Sequence, residues 1–314
     1  LNSVGVDVAV LTNLSREHLD YHKDMAAYRE AKKRLFDFDS VKTAVINMDD
    51  EFGQSLIDSL TNRKGLTLIT YSSQLKNMTL LAKHVKASLK GLKFTIANKA
   101  EAGQIECDVV GHFNIDNLLA AAGGLLAIQV PFNTVLNLIN KCHDIDGRMQ
   151  MLGNEDQTSV VIDFAHTPDA LEKTLKSLKL LMHKDGQLWC VFGCGGERDL
   201  GKRPLMGSKA EQHADQIVLT TDNSRSESNK AIVAEISKGI KSQDKVHVEH
   251  DRKKAITYAI NNAKNEDIVL IAGKGHEQYQ DIAGKRHSFS DKKIALGALV
   301  AANDERSISI GLNK

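Results

Sequence analysis

Aromatic residues make up only 5% of this 314-residue chain, with a single Trp, and the chain has just 3 prolines and 4 cysteines. So little proline excludes a polyproline or low-complexity linker protein. The cysteines (Cys107, Cys142, Cys190 and Cys194) are scattered and form no CxxC pair. That spacing argues against a disulfide framework or zinc ribbon and fits small core or turn residues in a reduced cytosol, so a cytoplasmic location is expected. No apolar run nears the roughly 20 residues needed to span a bilayer, and no signal peptide is visible, so membrane insertion is not expected. The formal net charge is +1 without a long basic block, which leaves a nucleic-acid surface without support. What remains is a globular composition, 42% hydrophobic and 26% charged, and enough chain for about two domains with real cores. The chain begins at Leu1 inside a strand-like run and reads as a piece of something longer.

Periodicity predicts a first α/β unit. Val4 to Leu11, Thr43 to Asn47 and Leu66 to Tyr71 read as strands, alternating with helices over Met25 to Phe36 and Glu51 to Leu60. Such alternation favours a parallel sheet. Between Thr79 and Val110 short alternating runs with Gly91 and Gly103 predict an antiparallel patch, followed by helices over Asn114 to Ile128 and Pro131 to Cys142. A second unit starts near Arg148, giving expected domains of 1–147 and 148–314. Its apolar runs at Ser159–Ile162, Leu188–Phe192, Gln216–Leu219, Val246–Val248 and Asp267–Ile271 alternate with helical segments, a doubly wound pattern whose sites sit at the carboxyl ends of strands.

Those strand ends carry the chemistry. Leu188–Phe192 stops at Gly193, Gly195 and Gly196, followed by Glu197, Arg198, Asp199, Lys202 and Arg203. Glycines there let backbone N–H groups approach an anion, and the bases behind them supply counter-charge. The plain alternative is a strand–turn–helix connection with a solvated charged turn. The other ends read DFAHTPDAL with Asp163 and His166, TTDNSR with Asp222, Asn223 and Arg225, and AGKGHE with Gly273, Lys274 and Glu277. A mixed rim of this kind suits a ligand that carries both ammonium and carboxylate. The dinucleotide pattern G-x-G-x-x-G fails because Arg198 stands at its third glycine, and no P-loop pattern occurs anywhere in the sequence. In the first unit, His18 in a strand-exit loop and Lys32 on a helix stand out. Each alone reads as a surface residue.

Taken together, TNLSREHLDYH with YREAKKRLF, GHFNIDN, GRMQ, DFAHTPDAL, GCGGERDLGKRP, DNSR and AGKGHE resemble, in order and over nearly the whole chain, the motifs of the Mur ligases. These are the ATP-dependent amide ligases that build the peptidoglycan stem peptide, and the likeness is to members that add meso-diaminopimelate as third residue. The resemblance implies a partial central P-loop-type ATPase domain followed by a Rossmann-like doubly wound carboxyl-terminal domain. It implies ATP as co-substrate, Mg²⁺ as cofactor, and UDP-MurNAc-dipeptide and meso-diaminopimelate as partners. Lys32 matches the family lysine that is carbamylated to an anionic oxygen ligand beside Mg²⁺, which prefers hard oxygens, and His18 matches the metal-site histidine. Asn114 and Asn117 match the adenine-side asparagines, Arg148 the arginine near the phosphates, and Asp163 the ribose aspartate, with His166 in the same turn. Arg198, Asn223, Arg225, Gly273 and Glu277 match the residues that hold diaminopimelate.

Two departures bear on this reading. The family's UDP-binding domain, P-loop and upstream glutamate have no counterpart here, so the chain is expected to bind the amino acid and to be inactive alone. Its selectivity motif reads DNSR where the family pattern has DNPR, and Ser224 frees backbone that a proline would fix. The alternatives are a non-catalytic amino-acid or nucleotide-binding fragment, and an L-lysine-adding, polyglutamate or cyanophycin ligase.

Overall fold

The computed structural model describes residues 4–15, 19–153 and 157–311, and the chain divides into two compact units at residues 143/144. The first unit runs β1 (Val8–Leu11), α1 (Leu19–His22), α2 (Met25–Lys33), β2 (Thr43–Asn47), α3 (Glu51–Leu60), β3 (Thr67–Ser72), β4 (Leu80–Ser88), β5 (Gly91–Ala97), β6 (Ala102–Cys107), α4 (Asn114–Ala127) and α5 (Phe132–Ile139). Its sheet keeps the order β1-β2-β3-β4-β5-β6, with parallel pairing as far as β4 and antiparallel pairing from β4 to β6. The expected antiparallel patch is therefore the second half of one continuous sheet. In β2 the period of two divides the core. Ala44 and Ile46 pack with Phe52 and Leu56 of α3, while Val45 packs with Leu118 and Leu119 of α4. Each buried branched side chain of this kind stabilises the fold by about 1.5–3 kcal/mol. Asp50 caps α3 by accepting from the N–H groups of Phe52 and Gly53. Helix α5 stops three residues short of the expected Cys142. The Asn140 side chain turns away there, accepting from Glu106 N–H at 2.7 Å and donating to Gln104 O at 3.2 Å, which ties the helix end to β6.

The second unit contains β7 (Gln150–Leu152), β8 (Ser159–Asp163), α6 (Pro168–Leu181), β9 (Leu188–Phe192), α7 (Lys202–His213), β10 (Gln216–Leu219), α8 (Asn229–Ser237), β11 (Val246–Val248), α9 (Arg252–Asn262), β12 (Ile268–Ala272), β13 (Tyr279–Ile282), β14 (Lys285–Ser288) and α10 (Asp291–Gly311). The sheet order is β11-β10-β9-β12-β8-β7, parallel throughout except for the β7 edge. Val160, Val191, Val218 and Val269 face α9 and α10 in one core. The alternate positions, among them Val161, Cys190, Phe192 and Leu270, are fully buried on the other face, where α6 lies against β9 and β12. The doubly wound expectation holds. Because β12 returns between β9 and β8, the direction of winding reverses at that point. A crevice is expected outside the carboxyl ends of these strands.

Cys107, Cys190 and Cys194 are buried free thiols and Cys142 is half-buried, as the scattered spacing predicts. Burial pushes the Cys194 thiol up to about 12, leaving it inert. No helix among the described residues is long and apolar enough to cross a membrane.

Candidate functional site

At the carboxyl edge of the second sheet, four loops meet. The loop after β9 contains the three sequence glycines, none of which has positive φ. Their role is close approach rather than turn geometry. A Cβ on Gly193 would overlap Thr220 O, and one on Gly196 would overlap Ser224 O, so the β9 loop can lie directly against the β10 loop. The Gly196 N–H donates to Asn223 O at 2.9 Å. The left-handed residue is Glu197, with φ 54°.

Two of the three bases that follow, Lys202 and Arg203, are structural, contrary to their reading as counter-charge for a bound anion. Arg203 is 1% exposed and pairs with Glu227 at 2.9 Å and Glu235 at 2.8 Å. The Arg203 guanidinium, followed by the Glu197 N–H, holds the Glu227 carboxyl below the usual range. Lys202 Nζ donates to His166 O at 2.9 Å. Arg198 stays at the exposed rim, its stem beside Gly195.

The β10 loop is buried from Thr220 to Ser224. Asn223 is its centre. Its Oδ1 accepts from Asp281 N–H at 2.9 Å and from Lys274 Nζ at 3.0 Å, and its Nδ2 donates to Glu277 Oε2 at 2.8 Å. Two donors at one end of the amide assign the oxygen there and the nitrogen toward the carboxylate. Arg225 is left-handed at φ 52°; its N–H donates to Asp281 O at 3.1 Å and its guanidinium to Gly196 O at 2.5 Å. Among the described residues no carboxylate pairs with Arg225.

The β12 loop closes the site. Gly273, at φ 113°, has space that a Cβ would lose to Asp222 Oδ2 at 2.6 Å. Lys274, fully buried, pairs with Glu277 Oε2 at 2.8 Å, and the Glu277 side chain is 22% exposed. Gly275 (φ 53°) presses on Gly147 (φ 70°), where a Cβ would overlap the Gly275 and His276 backbone, so the GRMQ and AGKGHE segments meet.

On the β8 side, Asp163 Oδ2 accepts from Met149 N–H at 2.8 Å, and Oδ1 accepts from Ala165 N–H at 2.9 Å and the Thr174 hydroxyl at 3.2 Å. Three of roughly four lone-pair directions are thereby used. Burial pushes its carboxyl up despite these bonds. Next to it the Phe164 ring carries the Arg148 guanidinium at 4.5 Å, with His166 edge-on at 4.7 Å and His276 stacked at 6.0 Å.

In the first unit, Asn114 donates to Val110 O at 2.7 Å and accepts from Asn117 Nδ2 at 2.8 Å, leaving the exposed Asn117 its amide oxygen. Lys32 is exposed on α2 with its ammonium 5.3 Å from the Tyr28 ring. His18 lies outside the described residues. As an ammonium Lys32 repels a divalent cation, and no group of three or more His, Cys, Asp or Glu able to hold a metal occurs among the described residues. The described side chains therefore do not by themselves fit Mg²⁺.

Sequence reading missed three supports. The first is the β13–β14 hairpin, closed by Ala283 and Gly284 at φ 52° and 73°, a two-residue turn of the primed type. Its Gln280 side chain donates to Thr221 O at 3.3 Å and Asp222 O at 3.2 Å. The second is the buried Arg252–Asp291 pair, whose guanidinium also donates to Ala272 O at 3.0 Å. The third is the full burial of Lys274 and its pairing with Glu277; the sequence placed Lys274 only on the polar rim.

An open, mostly parallel sheet with polar loops gathered at its switch point defines an α/β ligand-binding domain. The Mur ligase, glutamate ligase domain matches residues 147–275, and the Mur ligase middle domain matches residues 1–125. This chain belongs to the Mur ligase family. It is 45% identical over 301 residues to the UDP-N-acetylmuramoyl-L-alanyl-D-glutamate--2,6-diaminopimelate ligase of Chromobacterium violaceum, covering 96% of this chain and 60% of that protein. The Pseudomonas aeruginosa protein of the same name is 44% identical over 299 residues, with 95% and 60% covered. A solved structure of a UDP-N-acetylmuramoyl-L-alanyl-D-glutamate--2,6-diaminopimelate ligase superposes with TM-score 0.63 at 40% identity, over 96% of this chain and 62% of that one. A Mycobacterium tuberculosis folylpolyglutamate synthase shares the fold, with TM-score 0.67 at 18% identity over 87% and 62%. The chain spans about 60% of the length of the curated relatives it matches.

Proposed function

We propose that this chain carries the middle and glutamate ligase domains of an ATP-dependent amide ligase, one that joins meso-diaminopimelate to UDP-MurNAc-L-Ala-D-Glu, and that its second unit holds the diaminopimelate. The observation that carries the reading is the meeting of Asn223, Arg225, Gly273 and Glu277 at one sheet edge, with a guanidinium that has no carboxylate partner among the described residues. A zwitterionic end of the amino acid supplies what each group lacks. Its carboxylate goes to the planar fork of Arg225, with Arg198 at the rim, and its ammonium to Glu277. The names of the relatives point to the same substrate.

Arg148, Asp163 and His166 form the nucleotide side in this reading. One remaining lone-pair direction of Asp163 accepts a ribose hydroxyl, and Arg148, spread over Phe164, faces phosphate. Asn114 fixes Asn117, whose amide edge is suited to adenine.

In the reaction, a carboxylate oxygen of the dipeptide attacks the γ-phosphorus of ATP, releasing ADP and forming an acyl phosphate. The free amine of diaminopimelate then attacks the acyl carbon; the C–O bond breaks, inorganic phosphate leaves with its electron pair, and the nitrogen gives up a proton. The part assigned to this chain is orientation of the amine. Lys32 would become an oxygen ligand for Mg²⁺ only once carbamylated.

Calorimetric titration of the chain with meso-diaminopimelate tests the reading. Arg225→Ala should weaken binding about ten- to hundredfold, the worth of a charge-assisted pair, while the thermal midpoint falls only by the loss of its hydrogen bond to Gly196 O. No binding by the unaltered chain, or an Arg225→Ala protein that binds equally well, would overturn it.

A further inference from the structure

Lys274 is a lysine with no solvent exposure, and it spends its charge on Glu277, the acid assigned above to the ligand ammonium. Glu277 Oε2 takes both Lys274 Nζ and Asn223 Nδ2, each at 2.8 Å, and among the described residues its Oε1 has no partner. A buried ammonium must be balanced, so Lys274 and Glu277 form a nearly neutral unit with one oxygen facing the crevice. Arg225 has no carboxylate partner among the described residues and stands apart as a cation. A pocket built this way attracts a lone ammonium weakly, because the acid that would hold it is already neutralised. It accepts an ammonium that arrives with its own carboxylate, since the carboxylate is met by Arg225.

We infer that Lys274 is a specificity-determining residue that cancels the charge of Glu277, so that an amino acid ending in a zwitterionic centre is taken and one ending in a bare ammonium is refused. The inference rests on the diaminopimelate reading and adds to it a repulsive element beside the attractive Arg225, as discrimination between similar ligands requires. Lys274 also holds the Asn223 oxygen, keeping the amide turned so that Nδ2 pins Glu277. It works through these two residues rather than by touching the reacting atoms.

The test is the ratio of dissociation constants for L-lysine and meso-diaminopimelate, measured by calorimetry. In Lys274→Met the uncompensated Glu277 should draw L-lysine and lower the ratio about tenfold, whereas Lys274→Arg should keep it. Because Lys274→Met leaves a partly buried acid unpaired, which destabilises the fold, Lys274→Met/Glu277→Gln is the second variant. It is neutral like the native pair and should return the ratio to within a few-fold of the unaltered chain. An equal loss for both amino acids in Lys274→Met, with the ratio kept, overturns the selectivity role and leaves a structural lysine. A double variant whose ratio stays low overturns charge cancellation. A chain that binds neither amino acid is a separate result, one that removes the diaminopimelate reading and this inference with it.

Discussion

Ser224 is 1% exposed, and its hydroxyl has no hydrogen-bond partner among the described residues. Its carbonyl accepts from Glu227 N–H at 3.0 Å, but its own N–H has no acceptor among the described residues. A buried orphan hydroxyl costs about 1–3 kcal/mol, so the position where the family pattern has proline is held here at a loss. Ser224→Ala should therefore raise stability by about 1 kcal/mol in urea unfolding. Ser224→Pro removes the same orphan, sacrifices no donor bond, and should add about 0.4–1 kcal/mol by stiffening the unfolded chain. A proline variant less stable than the alanine one would mean that the backbone at 223–224 does not suit the ring. The residue scale also marks the limit of what the sequence discloses. Asp163, Asn223 and Glu277 were legible because their types and spacing form motifs. The partnership of Lys274 with Glu277 was not, because it depends on burial that no local pattern encodes.

At the scale of elements, the pocket loops are held from behind by Arg252 at the start of α9. It pairs with Asp291 at the start of α10 at 2.7 Å, and it donates to Thr221 O at 3.4 Å and Ala272 O at 3.0 Å, at the ends of the loops' parent strands β10 and β12. Both side chains are fully buried. Removing one partner strands the other charge, so Arg252→Met should cost about 3–5 kcal/mol, and Arg252→Met/Asp291→Asn distinctly less. Chemical denaturation of the two variants checks the difference. Equal losses would mean that the carbonyl contacts matter more than the pair. Elements were legible where apolar runs are fully buried and end abruptly, as in β2 and β9, whose bounds agree with those read from sequence. The hairpin was not, because Lys285–Ser288 is exposed throughout and its strands carry no apolar alternation. The expected strand from Val4 shortens to Val8–Leu11 because Val4 and Gly5 are exposed and pair with no strand.

For the molecule as a whole, acid is the revealing stress. The carboxyls of Glu172, Asp146 and Glu227 are all held low in the folded state, Glu172 down to about 2. Glu172 on α6 binds Lys176 on its own helix at 2.7 Å and Lys209 on α7 at 2.6 Å, with His213 at 3.4 Å. These two lysine bonds, Lys176 first, are what hold it down. A carboxyl with a lowered folded pKa contributes stability that is whole above its unfolded value, near 4.5, and is lost as pH falls toward about 2, because the unfolded chain takes up the proton first. Asp163 has the opposite sign: burial raises it, so its contribution is full at low pH and lost as pH rises through its folded value. The lowered carboxyls outnumber it, so unfolding free energy should fall steadily as pH drops below about 4.5. Glu172→Gln should flatten that fall between pH 4.5 and 2 while lowering stability at neutral pH, because Lys176 and Lys209 lose their shared partner. Urea midpoints measured across this range decide it. An acid limb as steep in the variant as in the unaltered chain would show that the contact between α6 and α7 is held by packing and not by this carboxylate.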